Sequence, residues 1–348
     1  MAQEHRSVRS PKADAERIVA YMLRDHRGNW AMDIDEWDWV PGVGVIALEH
    51  YYRTVGDARG FDVLAAWVER NRHKAERAKV VNAMAPYAIF PSLYARTGVR
   101  YFLEEGDRIA SWIVRDAPRT REGALEHTVT EPAAFPEQVW ADTVFMAVLF
   151  LARMGRAADN REYGEEALRQ LLLHLRLLQD ERTGVLFHGW DCGAGNHVSA
   201  ARWTRANAWV TLATPMILDE AQGWIAVNGE IEERYAALLR GLKSYQADDG
   251  LWPTVMDRPA FYPEASGSAG IAAGFAMAAK RGWADASYAA AAARTLEAIR
   301  GRIGDEGEVR NVSTGTPVMP TVEHYDVIPQ CPTLYGQGLA LLLLAEHA

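Results

Sequence analysis

Asp142 sits in Trp140-Ala-Asp142-Thr-Val-Phe-Met146, at the mouth of one of the most apolar runs in the chain. A carboxyl group in that setting has two readings. It caps the helix that follows, since aspartate ahead of Thr-Val-Phe-Met suits an N-cap. Alternatively it is an acid whose pKa burial raises, so that it delivers a proton near neutrality. A second constellation is Trp203-Thr-Arg205-Ala-Asn207-Ala-Trp209. Arg205 and Trp209 stand four apart and share a helix face. A guanidinium beside indoles suits a carboxylate clamp with a stacking platform for a sugar ring, and equally a structural arginine capping a neighbouring helix. The third is His188-Gly-Trp190-Asp191. Taken alone, His188 reads as a satisfied core residue. Trp37 and Trp39, ahead of Gly42-Val-Gly44-Val, read either as core filler or as a wall for sugar stacking.

A repeat changes the weight on the histidines. Gly123-Ala-Leu-Glu-His127, Gly184-Val-Leu-Phe-His188, Gly250-Leu-Trp-Pro-Thr254 and Gly307-Glu-Val-Arg-Asn311 recur at spacings of 61, 66 and 57 residues. Each follows a segment of helical period and places a polar residue four positions after its glycine. Such regularity predicts an array of like units sharing one core. Equivalent loops of a closed array crowd together at one end, so His127 and His188 are expected to face a common mouth.

The elements between the loops read as helices. Six amphipathic runs include Leu168, Leu171, Leu172, Leu175 and Leu178, and Tyr235, Leu238, Leu239 and Leu242. They alternate with six more apolar runs, at 42–52, 85–95, 142–153, 206–218, 266–279 and 336–345. Runs that are apolar nearly all round belong inside and amphipathic ones outside. The expected fold is therefore all-α: an (α/α)6 barrel of six helical hairpins. Residues 1–12 read as a loose tail and 13–348 as a single catalytic domain. Strand-like alternation is confined to short pieces beside the glycine loops.

Bulk properties exclude several classes. The net charge of -9, without a basic stripe, argues against a nucleic-acid partner. The apolar stretches at 141–152 and 339–345 are too short to span a bilayer. Two cysteines, Cys192 and Cys331, make no disulfide framework, and no His/Cys spacing suits a metal. Phosphate loops and dinucleotide fingerprints are absent from the sequence. The polar stretch at 1–13 has no apolar signal core, so a cytoplasmic location is expected, as a monomer or small homo-oligomer.

Together these motifs resemble glycoside hydrolase family 105, the unsaturated rhamnogalacturonyl hydrolases, and more distantly family 88, the unsaturated glucuronyl hydrolases. The matching pieces are Trp37-Asp-Trp39, Val81-Asn-Ala-Met-Ala-Pro86, the loop ending in His127, Gln138 to Met146, the segment from Gly184 to Asp191, Trp203 to Trp209, Glu264-Ala-Ser, and Tyr335-Gly-Gln-Gly. They keep their order over about 310 residues. The resemblance implies the same barrel. It also implies hydrolysis of oligosaccharides bearing a 4,5-unsaturated uronic acid at the non-reducing end, as left by polysaccharide lyases, with no cofactor. In that reaction one acid protonates C4 of the vinyl ether, water adds at C5, and the hemiketal opens to release the aglycone. Asp142 matches the general acid/base, and Trp39, Asn82, His127, Trp140, His188, Arg205 and Trp209 match residues lining the sugar subsite. Two departures stand out. Family members read Arg-Gly-Asn-Gly-Trp where this chain has Arg205-Ala-Asn207-Ala-Trp209, and many place a second aspartate near Asn82, where this chain has an amide. A sugar epimerase or isomerase using His127 and His188 as paired acid and base is the first alternative. A non-catalytic sugar-binding protein is the second.

Overall fold

The computed structural model describes residues 10–77, 79–128 and 135–348. Most of the expected loose tail, residues 1–9, lies outside that range. Ser10 starts the first helix: its hydroxyl accepts the Ala13 N–H at 3.2 Å. Pro11 takes the first helical position, where a missing N–H costs nothing. Pro11 and Lys12, read above as tail, therefore form the first turn of α1 (Pro11–Met22).

Among the described residues eleven further α-helices follow: α2 (Trp39–Val55), α3 (Ala58–Asn71), α4 (Phe90–Thr97), α5 (Arg100–Arg115), α6 (Leu149–Ala158), α7 (Arg161–Leu178), α8 (Thr204–Ala221), α9 (Gly229–Ser244), α10 (Ala265–Lys280), α11 (Ala286–Arg300) and α12 (Leu334–Ala345). Odd-numbered helices such as α5 bury one stripe, whereas α8, α10 and α12 bury almost every side chain. The apolar elements touch in cyclic order, and α12 returns to α2. The odd-numbered helices pack outside them, which gives the (α/α)6 barrel expected from the periodicity.

Small residues set the spacing of the inner ring. Gly267, Gly270 and Gly274 form a stripe on α10 facing α8. A Cβ added at these positions would meet α8 atoms at 2.7, 2.8 and 2.6 Å. Two inner elements depart from regular α-helix. Pro86 has no N–H to give, and Asn82–Ile89 winds as a 3-10 helix, so the run expected at 85–95 is divided between it and α4. Val144–Val148 is a π-helical turn, the kind of irregularity that recurs at functional sites.

The two ends of the barrel differ. Short turns such as Gly56-Asp57, Gly98-Val99 and Asp159-Asn160 lead from inner to outer helices. The return connections are long, including 179–203, 245–264 and 301–333, and these carry the chemical candidates. The repeated glycines all adopt left-handed backbone, with φ of 79° at Gly123, 78° at Gly184, 85° at Gly250 and 100° at Gly307. The carbonyl of each is capped by a glutamine amide, from Gln170, Gln179, Gln246 and Gln337 in turn, at 2.8–3.1 Å. The repeat in the sequence is thus a repeated turn with a repeated side-chain support. Beyond the first two turns lie strands β1 (Gln138–Trp140) and β2 (Gly189–Asp191), an antiparallel pair that sets Trp140 opposite Gly189. No helix among the described residues is long and apolar enough to cross a membrane.

Candidate active site

The β1–β2 pair brings two distant motifs together. It runs on into a bond from the Ala141 N–H to the His188 carbonyl at 3.1 Å, which fixes Asp142 beside His188. Asp142 Oδ1 accepts the indole N–H of Trp209 at 3.0 Å. Asp142 Oδ2 lies 3.4 Å from His188 Nε2, without the alignment of a hydrogen bond. The Asp142 side chain is 13% exposed, the His188 side chain not at all.

Electrostatics at Asp142 run against the sequence expectation of a raised pKa. Burial pushes the carboxyl up, but His188 beside it, with His127 and Arg205 further off, outweighs that effect and holds it below the ordinary carboxylate range. His188 itself is lowered by burial, which overcomes the opposing pull of Asp142. Burial also takes His127 down to about 4. These directions favour the ionised aspartate and the uncharged imidazoles.

A column of rings and one guanidinium connects most of the expected residues. Trp39 stacks on Tyr335 with centroids 5.0 Å apart. The Arg205 guanidinium lies between Tyr335 and Trp203, at 4.6 and 4.5 Å from the two rings. Trp203 packs on His188 at 4.2 Å, His188 meets the edge of Trp140 at 5.4 Å, and Trp140 stacks on His127 at 4.3 Å. His127 Nδ1 is 3.0 Å from the Thr143 hydroxyl, one residue beyond Asp142. Both histidines thus reach the same site, as the repeat predicted. Their loop equivalents differ: Thr254 is buried and Asn311 exposed.

Three residues take places other than those expected from their type. Arg205 is buried, with both Nη atoms committed to the protein. Nη1 donates to the Ser313 hydroxyl and carbonyl at 2.6 and 3.0 Å and to Ser266 at 3.3 Å, while Nη2 donates to the Thr314 carbonyl and the Thr316 hydroxyl. Glu264, wholly buried, is its counter-ion at 3.5 Å. A desolvated guanidinium needs such acceptors, and they leave no forked pair of N–H groups for a substrate carboxylate. Trp209 is fully buried and lacks a free face for a sugar; its indole N–H serves Asp142. Trp140 is likewise buried, with one face covered by His127. Trp39 is half-buried and stacks on Tyr335, at the opposite end of the column from His127. Asn82 is held through its N–H to the Thr128 carbonyl, next to His127, and its side-chain Oδ1 has no partner among the described residues.

Sequence reasoning missed Tyr325. Its hydroxyl lies 2.7 Å from His188 Nδ1, a contact made across 137 residues of chain. It also missed Tyr335 as part of the wall. Tyr325 has no local pattern that could have drawn attention to it, whereas Tyr335 opens a recognised motif, Tyr335-Gly-Gln-Gly. Trp203 stood inside a recognised motif and could have been included.

The family model described as Glycosyl Hydrolase Family 88 matches residues 14–348. The chain is 34% identical over 339 residues to an unsaturated rhamnogalacturonyl hydrolase, YesR, of Bacillus subtilis (strain 168), covering 96% of this chain and 95% of that protein. A crystal structure described as a possible member of the GH105 family, from Salmonella enterica serovar Paratyphi A, superposes with a TM-score of 0.91 at 31% identity, over 97% of this chain and 93% of that one. An unsaturated glucuronyl hydrolase from Bacillus sp. GL1 shares the fold, with a TM-score of 0.75 at 17% identity over 96% and 95% of the two chains.

Proposed function

The chain belongs to Glycosyl Hydrolase Family 88 and is a glycosidase, and from that premise we propose how it acts: it removes a 4,5-unsaturated uronic acid from the non-reducing end of lyase-generated oligosaccharides by hydrating the vinyl ether. The similarity to the Bacillus subtilis enzyme puts rhamnogalacturonan-type fragments first among the substrates. The observation that carries the reading is the support of one carboxyl, Asp142, by the Trp209 indole at Oδ1 and the His188 imidazole facing Oδ2. Displacement at the anomeric carbon by a carboxylate pair needs two such groups about the bond. Addition of water across C4=C5 needs one acid/base.

In this mechanism the Asp142 carboxyl gives its proton to C4, and the π electrons of C4=C5 form the new C–H bond. The positive charge at C5 is shared with the ring oxygen. Water attacks C5, and its proton passes to the Asp142 carboxylate, which restores the acid. The resulting hemiketal opens, and C1 then releases the aglycone alcohol. Trp209 holds Oδ1 throughout, leaving Oδ2 as the oxygen that moves the proton. His188 orients the acid, and His127, stacked on Trp140 and 3.0 Å from the Thr143 hydroxyl, supports the wall behind it.

The barrel mouth suits an anionic sugar despite the net charge of -9. The starts of α2, α8, α10 and α12 meet around Trp39, Arg205, Ser266 and Tyr335. Helix starts carry partial positive charge. Arg205 enters as the strut that holds 313–316 against this wall.

The test is incubation with unsaturated uronyl disaccharides from rhamnogalacturonan, chondroitin, heparin and ulvan lyases. Loss of the ultraviolet absorbance of the conjugated C=C, together with release of the aglycone sugar, is the expected result. Conversion with the chromophore intact, as an epimerase would give, sinks the proposal.

A further inference from the structure

His188 is fixed in every respect but one. Its backbone N–H donates to the Ala201 carbonyl at 2.9 Å and its carbonyl accepts from Ala141. Trp203 and Trp140 pack against the ring. What packing leaves open is which ring nitrogen carries the hydrogen, and that is decided by the partner of the other nitrogen. Here the partner is Tyr325, at the end of a 3-10 turn, Val322–Tyr325. Its phenol oxygen already accepts the Met319 N–H at 3.1 Å. The phenol has one hydrogen to give, and His188 Nδ1 stands 2.7 Å away.

We propose that Tyr325 is a positioning residue of the hydration reaction: by donating to His188 Nδ1 it places the imidazole hydrogen on Nε2, facing Asp142 Oδ2. The proposal rests on Asp142 being the acid/base. Once Asp142 has delivered its proton to C4, the carboxylate left behind accepts the Trp209 N–H at Oδ1 and faces the His188 N–H from 3.4 Å at Oδ2. The other tautomer would turn a nitrogen lone pair against that charge in a buried site, where the mismatch is costly. The groups that act on Asp142 are His188, His127 and Arg205, with Trp209 as neutral donor. Of these His188 stands 3.4 Å from Asp142 Oδ2, and a neighbour can switch it between donor and acceptor without moving the ring.

The deciding measurement is the ¹⁵N spectrum of histidine-labelled wild-type protein at neutral pH. It should show His188 with its hydrogen on Nε2; a hydrogen on Nδ1 overturns the proposal, whether or not any variant folds. Tyr325→Phe supplies the kinetic arm. Losing the donor that keeps an imidazole N–H turned toward Asp142 should lower kcat about 10–100-fold with KM nearly unchanged. It should also shift the falling limb of the kcat profile to higher pH, because Asp142 loses a donor that favours its ionised form. A folded variant with unchanged kcat and an unmoved limb refutes the role. Failure of the underlying reading shows separately, as turnover retained by Asp142→Asn, and leaves the histidine spectrum as it was.

Discussion

Trp209 reaches across 67 residues of sequence to donate its indole N–H to Asp142 Oδ1 at 3.0 Å. The finding converts a residue expected to face the sugar into one that aims the acid. Trp209→Phe keeps a ring in the α8 packing but leaves Oδ1 buried without its donor. A lost hydrogen bond to a charged group is worth about 1.5–3 kcal/mol, so kcat should fall about 10–100-fold while KM changes little. Steady-state kinetics check this, with a melting curve to show that the barrel persists. A large rise in KM with kcat unchanged would restore the stacking role.

Asp142→Asn should abolish turnover while sparing fold and binding. The amide keeps the shape and the Trp209 contact at Oδ1 but carries no titrating proton. General acid catalysis contributes a factor of roughly 10²–10⁴. A variant retaining more than about a tenth of wild-type kcat would show that another group is the acid.

Arg205→Lys should act through the wall of the site. A lysine cannot fill the Ser266, Ser313, Thr314 and Thr316 acceptors or lie flat between Trp203 and Tyr335. The melting temperature should drop, consistent with a loss of about 3 kcal/mol or more for a disrupted buried pair, and kcat and KM should worsen together. The comparison that discriminates is a substrate with its carboxylate methylated. If Arg205 were the carboxylate clamp, the variant would lose the wild-type preference for the free acid; we expect that preference to survive.

The pH profiles of kcat/KM and kcat should separate. Asp142 acts first as a proton donor, so the rate is full below its pKa and lost as pH rises through it. In the free enzyme that pKa is lowered. A bound uronate adds a like charge and displaces water, both of which raise it. The falling limb of kcat, which reports the complex, should therefore lie at higher pH than that of kcat/KM. Superimposed limbs, or the reverse order, would contradict this account of the acid.

Stability should decline in mild acid because buried histidines, His127 and His174 among them, resist protonation. Burial lowers His174, wholly enclosed on α7, from 6.5 to about 4. The unfolded chain then binds more protons than the folded one between about pH 6.5 and 4, and stability is lost as pH falls through that window. Such a shift is worth about 3 kcal/mol at full extent. His174→Leu should flatten the dependence of melting temperature on pH over that range, and an unchanged slope would show that this histidine is not responsible.

The barrel was legible in the sequence because its inner helices are apolar all round and its outer ones are not. Solvent exposure imposes that difference on any closed double ring. The left-handed glycines marked the turns, and through them the convergence of His127 and His188. Two kinds of feature were hidden. The winding of Asn82–Ile89 and Val144–Val148 depends on local hydrogen-bond competition that leaves only Pro86 as a trace. Side-chain partners fixed by the closed ring were hidden as well. The acceptors of Arg205 lie 61 to 111 residues downstream, and Tyr325 meets His188 from a connection with no periodicity. The type and spacing of Arg205 were plain, yet nothing local revealed that the protein itself would take up both its Nη atoms.

The contact between α12 and α2 has a consequence for how such a protein can diversify. An open stack of helical repeats grows or shrinks by duplication, protected by special caps at its two ends. A ring closed on itself has no ends. Gaining or losing one hairpin would change the angle at every junction of the inner helices at once, including the glycine stripe that seats α10 against α8. Copy number is therefore frozen at six, and inheritable novelty is channelled into the long connections around the mouth, where length and side chains vary without disturbing closure.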